Sequence, residues 1–152
     1  MKEETNLLEK DDLWLLTACI WAESRGEPRE GQEAVCNVVL NRVKKGMGKS
    51  ISEVILKPNQ FSWTNTGDPN LVKAFHAKDN YPRSWIFAQA IAQAALAGQL
   101  DDNTNNADHY LNVEATMEAR QKAGNNKLLP SWVDMSKVTV VINNHTFLNL
   151  LG

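Results

Sequence analysis

The feature that most constrains this fold is an apolar stretch at residues 13–22 that leads directly into an acidic residue, Glu23. Its apolar side chains would cover almost the whole circumference of a helix, which is typical of a central, buried helix. We expect that helix at residues 13–24, with Asp11 or Asp12 as its N-terminal cap. A carboxyl group in apolar surroundings has a raised pKa and can act as a general acid, so Glu23 is the first candidate for a catalytic residue.

Length and composition indicate one globular domain. The 152 residues are enough to bury a core, and their net charge is only -2. A charge this close to zero argues against a nucleic-acid binder, which would show a basic face. We expect a short N-terminal extension at residues 1–10 and a single catalytic domain at residues 11–152.

The N-terminal sequence and the cysteines indicate a cellular compartment. Residues 1–9 contain no apolar segment of the kind a secretory signal peptide needs, and no run is long enough to span a membrane. We therefore expect synthesis in the cytoplasm without a signal peptide, and no membrane insertion. Cys19 and Cys36 lie in apolar helical patterns, which favours buried reduced thiols, while a disulfide between neighbouring helices stays open. Without a cluster of histidines beside them we expect no metal site and no cofactor.

The remaining pattern predicts an α+β fold that is mostly helical. Further helices are expected from Pro28 to before Gly46 and at residues 50–56, 68–78, 83–97 and 115–123. A short strand is expected at residues 109–111. Two β-rich runs flank the turn residues Asn143 and Asn144, which predicts a small C-terminal β-hairpin or sheet.

Short motifs follow one another in order along residues 13–147. They are Ala22-Glu23-Ser24-Arg25-Gly26-Glu27-Pro28, Glu30-Gly31-Gln32-Glu33-Ala34-Val35, Asn41-Arg42-Val43, Gln60-Phe61-Ser62, Asn103-Thr104 with Ala107 and His109-Tyr110, Pro130-Ser131-Trp132, and Asn144-His145-Thr146-Phe147. This ordered set resembles the SleB-type cell-wall hydrolases, a family that includes spore-cortex-lytic enzymes and many phage lysis proteins. Asn106 and Asn144 stand where that family usually has glycine, and asparagine accepts left-handed backbone angles better than most residues.

The resemblance implies a lysozyme-like fold related to lytic transglycosylases. It implies cleavage of peptidoglycan glycan strands between N-acetylmuramic acid and N-acetylglucosamine, with Glu23 at the position of the family's catalytic glutamate. The resemblance therefore favours a lytic transglycosylase that leaves 1,6-anhydro ends. A hydrolase would need a second carboxylate, whereas a transglycosylase would not. A hydrolytic muramidase and a non-catalytic peptidoglycan-binding module are the alternatives. The expected setting is a monomeric phage endolysin that reaches the cell wall with the help of a separate holin.

Six residues are candidates for binding the substrate or supporting Glu23: Glu27, Gln60, Phe61, Ser62, Thr104 and Tyr110. Gly26 should end the first helix, so Glu27 is expected to cap the next one, while a catalytic role for it stays open. Phe61 could equally be a core aromatic residue. Arg42 is expected to be a structural hydrogen-bond or ion-pair partner, and Trp132 to offer a face for sugar stacking.

Overall fold

A computed structural model describes residues 5–152, so the first four residues of the predicted N-terminal extension lie outside the described part. The helices are α1 (Asp12–Ser24), α2 (Arg29–Lys44), α3 (Ile51–Leu56), α4 (Pro69–Asn80), α5 (Pro82–Leu96) and α6 (Val113–Lys122). The strands are β1 (His109–Leu111), β2 (Val138–Ile142) and β3 (His145–Leu148). They form one antiparallel sheet in the order β1-β3-β2. The mostly helical α+β fold with a small C-terminal sheet is confirmed, and it agrees with the lysozyme-like fold that the resemblance implies.

Helix α1 is the central element of the core. Asp11 caps it, because its side chain accepts a hydrogen bond of 2.8 Å from the backbone N–H of Trp14. The helix packs against α2, α3, α4 and α5, which explains why it is apolar all round. On α5 the fully buried Ala88 and Ala92 face this core, and side chains this small let two helices approach closely. Glu23 therefore lies at the end of the most deeply buried helix.

Helix α2 begins differently from the prediction. Its N-cap is Pro28, and no side chain caps it. The Glu27 carboxylate instead accepts hydrogen bonds from the side-chain amides of Asn143 (3.0 Å) and Asn144 (3.1 Å) at the tip of the β2–β3 hairpin. The prediction that Glu27 caps α2 is wrong, because amide donors from a distant turn bind this carboxylate.

The sheet packs on α2 through a second, smaller apolar cluster. It contains Ala34 and Val38 of α2, together with Ala107 and Phe147. Asn106 has a φ of 69°, the left-handed conformation expected there. In the hairpin turn it is Asn143, with a φ of 52°, that adopts this conformation.

A buried carboxylate, Asp108, joins the sheet to α2 and to the C-terminal tail. It forms an ion pair of 2.8 Å with Lys45 and accepts backbone hydrogen bonds of 2.9 Å from Leu150 and Leu151. Its other neighbour is His109, whose Nδ1 donates to it over 2.8 Å. Burial favours the neutral carboxyl, but these donors outweigh it and lower the pKa of Asp108 to about 2.

Both cysteines are buried free thiols, which confirms the expected reduced state of Cys19 and Cys36. Within residues 5–152 no helix combines the length and the apolar character needed to cross a membrane.

Candidate active site

Two adjoining cavities meet at Glu23, in the last turn of α1. The first cavity has a volume of about 330 Å³ and is lined by Glu23, Arg42, Asn59, Gln60, Phe61, His109, Tyr110 and Trp132. The second has a volume of about 490 Å³ and is lined by Ala22, Glu23, Ser24, Arg25, Gly26, Glu27, Asn112, Asn144 and His145. Among the described residues, Glu23 is the one that lines both cavities, so a chain-like ligand that lay across them would pass beside it.

Strand β1 holds the group that orients Glu23. The hydroxyl of Tyr110 donates a hydrogen bond to Glu23 Oε1. The Tyr110 ring itself packs against two residues of β3, with ring centroids 5.2 Å from His145 and 5.7 Å from Phe147. Because strand pairing and ring packing both restrict Tyr110, the carboxyl group of Glu23 is held in one orientation.

The surroundings of Glu23 favour its protonated form. Burial raises the pKa of Glu23, while the hydrogen bond from Tyr110 and the positive charge of Arg42 oppose this increase. The negative charge of Asp68 adds to the increase. The net result is a raised pKa, which is the property a general acid needs to carry a proton near neutral pH.

Arg42, on α2, forms part of the first cavity. Its Nε donates a 2.7 Å hydrogen bond to the carbonyl oxygen of Asp108, and its guanidinium lies 5.0 Å from the centre of the Phe61 ring. The side chain is only 5% exposed, yet its Nη1 has no hydrogen-bond partner. The sequence interpretation found the structural contact of Arg42 and missed its place in the cavity. One signal was present: Arg42 continues the apolar stripe of Val35, Val38 and Val39, which places it on the buried face of α2.

The other candidates divide between the cavities and the scaffold. Gln60 and the buried Phe61 line the first cavity, whereas Ser62 is exposed and lines neither. Thr104 is fully buried and donates a 2.6 Å hydrogen bond to Asp102, so it stabilises the loop before β1 rather than lining either cavity. Trp132 does line the first cavity, as a residue that stacks on sugars should. Its ring centroid is 5.5 Å from that of His109, which also lines the first cavity.

Glu27 lines the second cavity beside His145. The two side chains approach to 3.3 Å between Glu27 Oε1 and His145 Nδ1, but this nitrogen is not aligned for a hydrogen bond. Burial lowers the pKa of His145, and the negative charge of Glu27 opposes that change. Together with Asn144, this pair joins the hairpin to the loop after α1. No group of three or more histidine, cysteine, aspartate or glutamate residues within residues 5–152 is placed to hold a metal ion.

The fold and the site define a mostly helical α+β protein with one partly buried, oriented glutamate between two cavities. Comparisons with known proteins agree with this description. Residues 26–148, well over half of the chain, match the family described as Cell Wall Hydrolase. The chain therefore belongs to the SleB-type cell-wall hydrolase family. Glu23 lies three residues before the matched segment, so its assignment depends on the geometry described above.

Individual relatives are spore cortex-lytic enzymes. The one from Oceanobacillus iheyensis is 39% identical over 108 residues, which are 69% of this chain and 34% of the relative. One from Bacillus cereus is 40% identical over 110 residues, which are 72% of this chain and 38% of the relative. The chain thus spans little more than a third of the length of these relatives. No solved structure gives a significant match.

Proposed function

We propose that this protein degrades peptidoglycan by cutting the glycosidic bond between N-acetylmuramic acid and N-acetylglucosamine, with Glu23 as the general acid. One observation carries the proposal: a partly buried carboxyl group, held by Tyr110, belongs to the residue that lines both cavities. A glycan that occupied both cavities would have a sugar on each side of Glu23. Membership of the cell-wall hydrolase family supports this substrate class.

The proposed reaction begins with protonated Glu23. It donates its proton to the glycosidic oxygen as the bond to C1 of the muramoyl residue breaks, and positive charge develops at that carbon. The Tyr110 hydroxyl and the Arg42 charge stabilise the carboxylate that is left. Glu23 then removes the proton of the 6-hydroxyl of the same sugar, and that oxygen attacks C1. The product is a 1,6-anhydro ring, and Glu23 is protonated again.

A lytic transglycosylase is favoured over a hydrolase by the acidic groups of the site. Among the described residues that line the first cavity, Glu23 is the one carboxylic acid. Glu27 lies in the second cavity, where hydrogen bonds from Asn143 and Asn144 engage its carboxylate. A hydrolase needs a second carboxylate that is available to attack C1 or to activate water. A transglycosylase does not need one, because the 6-hydroxyl of the muramoyl residue itself attacks C1.

A hydrolytic muramidase is the second candidate, because Glu27 does line a cavity that Glu23 shares. In that reaction Glu27 would activate water or attack C1. The two candidates differ in product mass, since hydrolysis adds one water that the anhydro product lacks. They also predict different activities for the Glu27→Gln variant. If the protein is a transglycosylase, the variant should still cleave peptidoglycan; if it is a muramidase, the variant should lose cleavage.

Mass spectrometry of purified peptidoglycan digested by the wild type and by Glu23→Gln tests the proposal. We expect muropeptides with 1,6-anhydromuramic ends from the wild type and none from the variant. Products heavier by one water would indicate the muramidase. A folded Glu23→Gln protein with full activity would refute the role of Glu23. Binding to peptidoglycan without any soluble product would indicate a non-catalytic binding module.

The biological setting can be tested with the same assay. The relatives are named for lysis of the spore cortex, whereas we propose a phage endolysin that acts on the vegetative cell wall. Digestion of vegetative sacculi at a higher rate than purified cortex would support the endolysin, and the reverse preference would refute it.

A further inference from the structure

The guanidinium of Arg42 is a buried cation without a carboxylate partner. Among the ion pairs formed within residues 5–152, none includes Arg42, although the side chain is only 5% exposed. A charged donor that is removed from water without a partner destabilises the folded protein. Lys45, which directly follows the last residue of α2, is in contrast fully engaged with Asp108, Asn106 and Asn149.

The contacts that Arg42 does make hold the guanidinium in place but leave its Nη1 without an acceptor. Its Nε is committed to the Asp108 carbonyl oxygen, and Phe61 lies against the guanidinium. Nη1 is shielded from solvent and has no acceptor, and Arg42 lines the cavity that contains Glu23. A planar guanidinium held in this way is preorganised to donate to an oxygen that enters the cavity.

The composition of the cavity defines the chemistry of that oxygen. In the reaction proposed above Glu23 starts in its protonated form, and in that form it does not neutralise the positive charge that Arg42 brings to the first cavity. This charge favours an oxygen that carries negative charge or a strong dipole over a neutral hydroxyl. Acyl oxygens have this property, and peptidoglycan sugars carry them on the acetamido group and on the lactyl group.

We propose that Arg42 is a substrate-binding residue that donates to an acyl oxygen of the amino sugar in the first cavity. The inference rests on the proposed function and adds to it a requirement for acylated sugars. Arg42 would thereby position the sugar beside Glu23, and its loss would weaken substrate binding more than it would slow the chemical step.

Binding to the inactive Glu23→Gln protein, measured by calorimetry, tests this inference. The probe is a stem-free tetrasaccharide of alternating N-acetylglucosamine and N-acetylmuramic acid. Adding Arg42→Lys, which keeps the charge and loses the forked geometry, should weaken binding roughly 10- to 100-fold. Lys45→Met is the matched control, because it loosens the same Asp108 segment from outside both cavities. We expect the control to bind almost as tightly as its parent.

A second probe, chitotetraose, distinguishes the two acyl groups because it carries acetamido groups and no lactyl group. Weaker binding of both probes by Arg42→Lys would identify the acetamido oxygen as the acceptor of the Arg42 hydrogen bond. A loss confined to the muramoyl tetrasaccharide would assign the lactyl oxygen. An equal loss of affinity in Arg42→Lys and Lys45→Met would mean that Arg42 acts only by stabilising the structure, which would refute the inference. Unchanged affinity in both variants would also refute it.

Arginine side-chain NMR of the Glu23→Gln protein keeps the inference testable if Arg42→Lys does not fold. Addition of the tetrasaccharide should shift the Arg42 Nη resonances and slow the exchange of their protons, and unchanged resonances on saturation would refute the contact. Failure of the proposed function is seen separately. In that case the wild type would release no soluble product from peptidoglycan, whether or not it binds the tetrasaccharide, whereas failure of this inference alone leaves cleavage by the wild type intact.

Discussion

Replacing Asp108 by asparagine tests how the site is held to the scaffold. The carboxylate is fully buried and accepts hydrogen bonds from Lys45, His109, Leu150 and Leu151. Asparagine keeps the size of the side chain but removes the charge and turns an NH₂ group toward donors. His109 lines the first cavity, so the same change also releases a residue of the candidate site.

The size of the effect follows from the pKa of Asp108. A decrease from 3.8 to about 2 corresponds to about 2 kcal/mol of stabilisation at neutral pH. The variant also leaves the Lys45 ammonium, whose side chain is 11% exposed, without its carboxylate. Breaking a buried ion pair by removing one partner costs about 3–5 kcal/mol, and we expect Asp108→Asn to fall in this range.

Urea unfolding at a series of pH values measures this difference. The exposed Asp101→Asn is the control and should stay within about 0.5 kcal/mol of the wild type. A lowered carboxyl pKa stabilises the folded state above the unfolded pKa, and this stabilisation is lost as the pH falls through the folded pKa. The difference between wild type and Asp108→Asn should therefore be complete at pH 7 and shrink between pH 4 and pH 2.

Two results would refute this reasoning. One is an Asp108→Asn protein that unfolds at neutral pH with nearly the same free energy as Asp101→Asn. The other is a large difference that stays constant down to pH 2, which would mean that the charge of Asp108 contributes nothing.

Three further predictions concern the groups around Glu23 and the thiols. As the pH rises above 4.5, Glu23→Gln should become increasingly more stable than the wild type, because a raised carboxyl pKa makes the folded wild type lose stability as that group ionises. The exposed Glu30→Gln is the control and should show no such gain in stability with pH. A stability difference between Glu23→Gln and the wild type that does not change with pH would contradict the raised pKa. Tyr110→Phe should lower kcat/KM and move the alkaline limb of the profile of kcat/KM against pH to higher pH, because the lost hydrogen bond had lowered the pKa of Glu23. An alkaline limb that does not move would show that Tyr110 does not set the pKa of Glu23. Neither Cys19 nor Cys36 should react with a disulfide reagent before unfolding, because burial raises both thiol pKa values, that of Cys36 to about 12. Labelling of the folded protein at either thiol would show that the core opens.

Local patterns were sufficient for most of the elements. The apolar run before Glu23 predicted α1 and its burial, and the turn residues Asn143 and Asn144 predicted the hairpin. These predictions succeeded because helix periodicity, caps and turns depend on residues a few positions apart. The order of motifs likewise placed Glu23 and Tyr110 in one candidate site, and the two side chains are in contact.

Long-range contacts decided the rest. Glu27 bonds to Asn144, 117 positions away, and no local rule could have assigned that carboxylate to the hairpin rather than to the cap of α2. Sequence alone determined that a glutamate ends a buried helix. Only the tertiary structure decided that this carboxyl group faces two cavities, with Arg42 beside it and Glu27 engaged elsewhere. The physical reason is that periodicity and turn chemistry act along the chain, whereas a pKa and a cavity depend on what distant segments bring together.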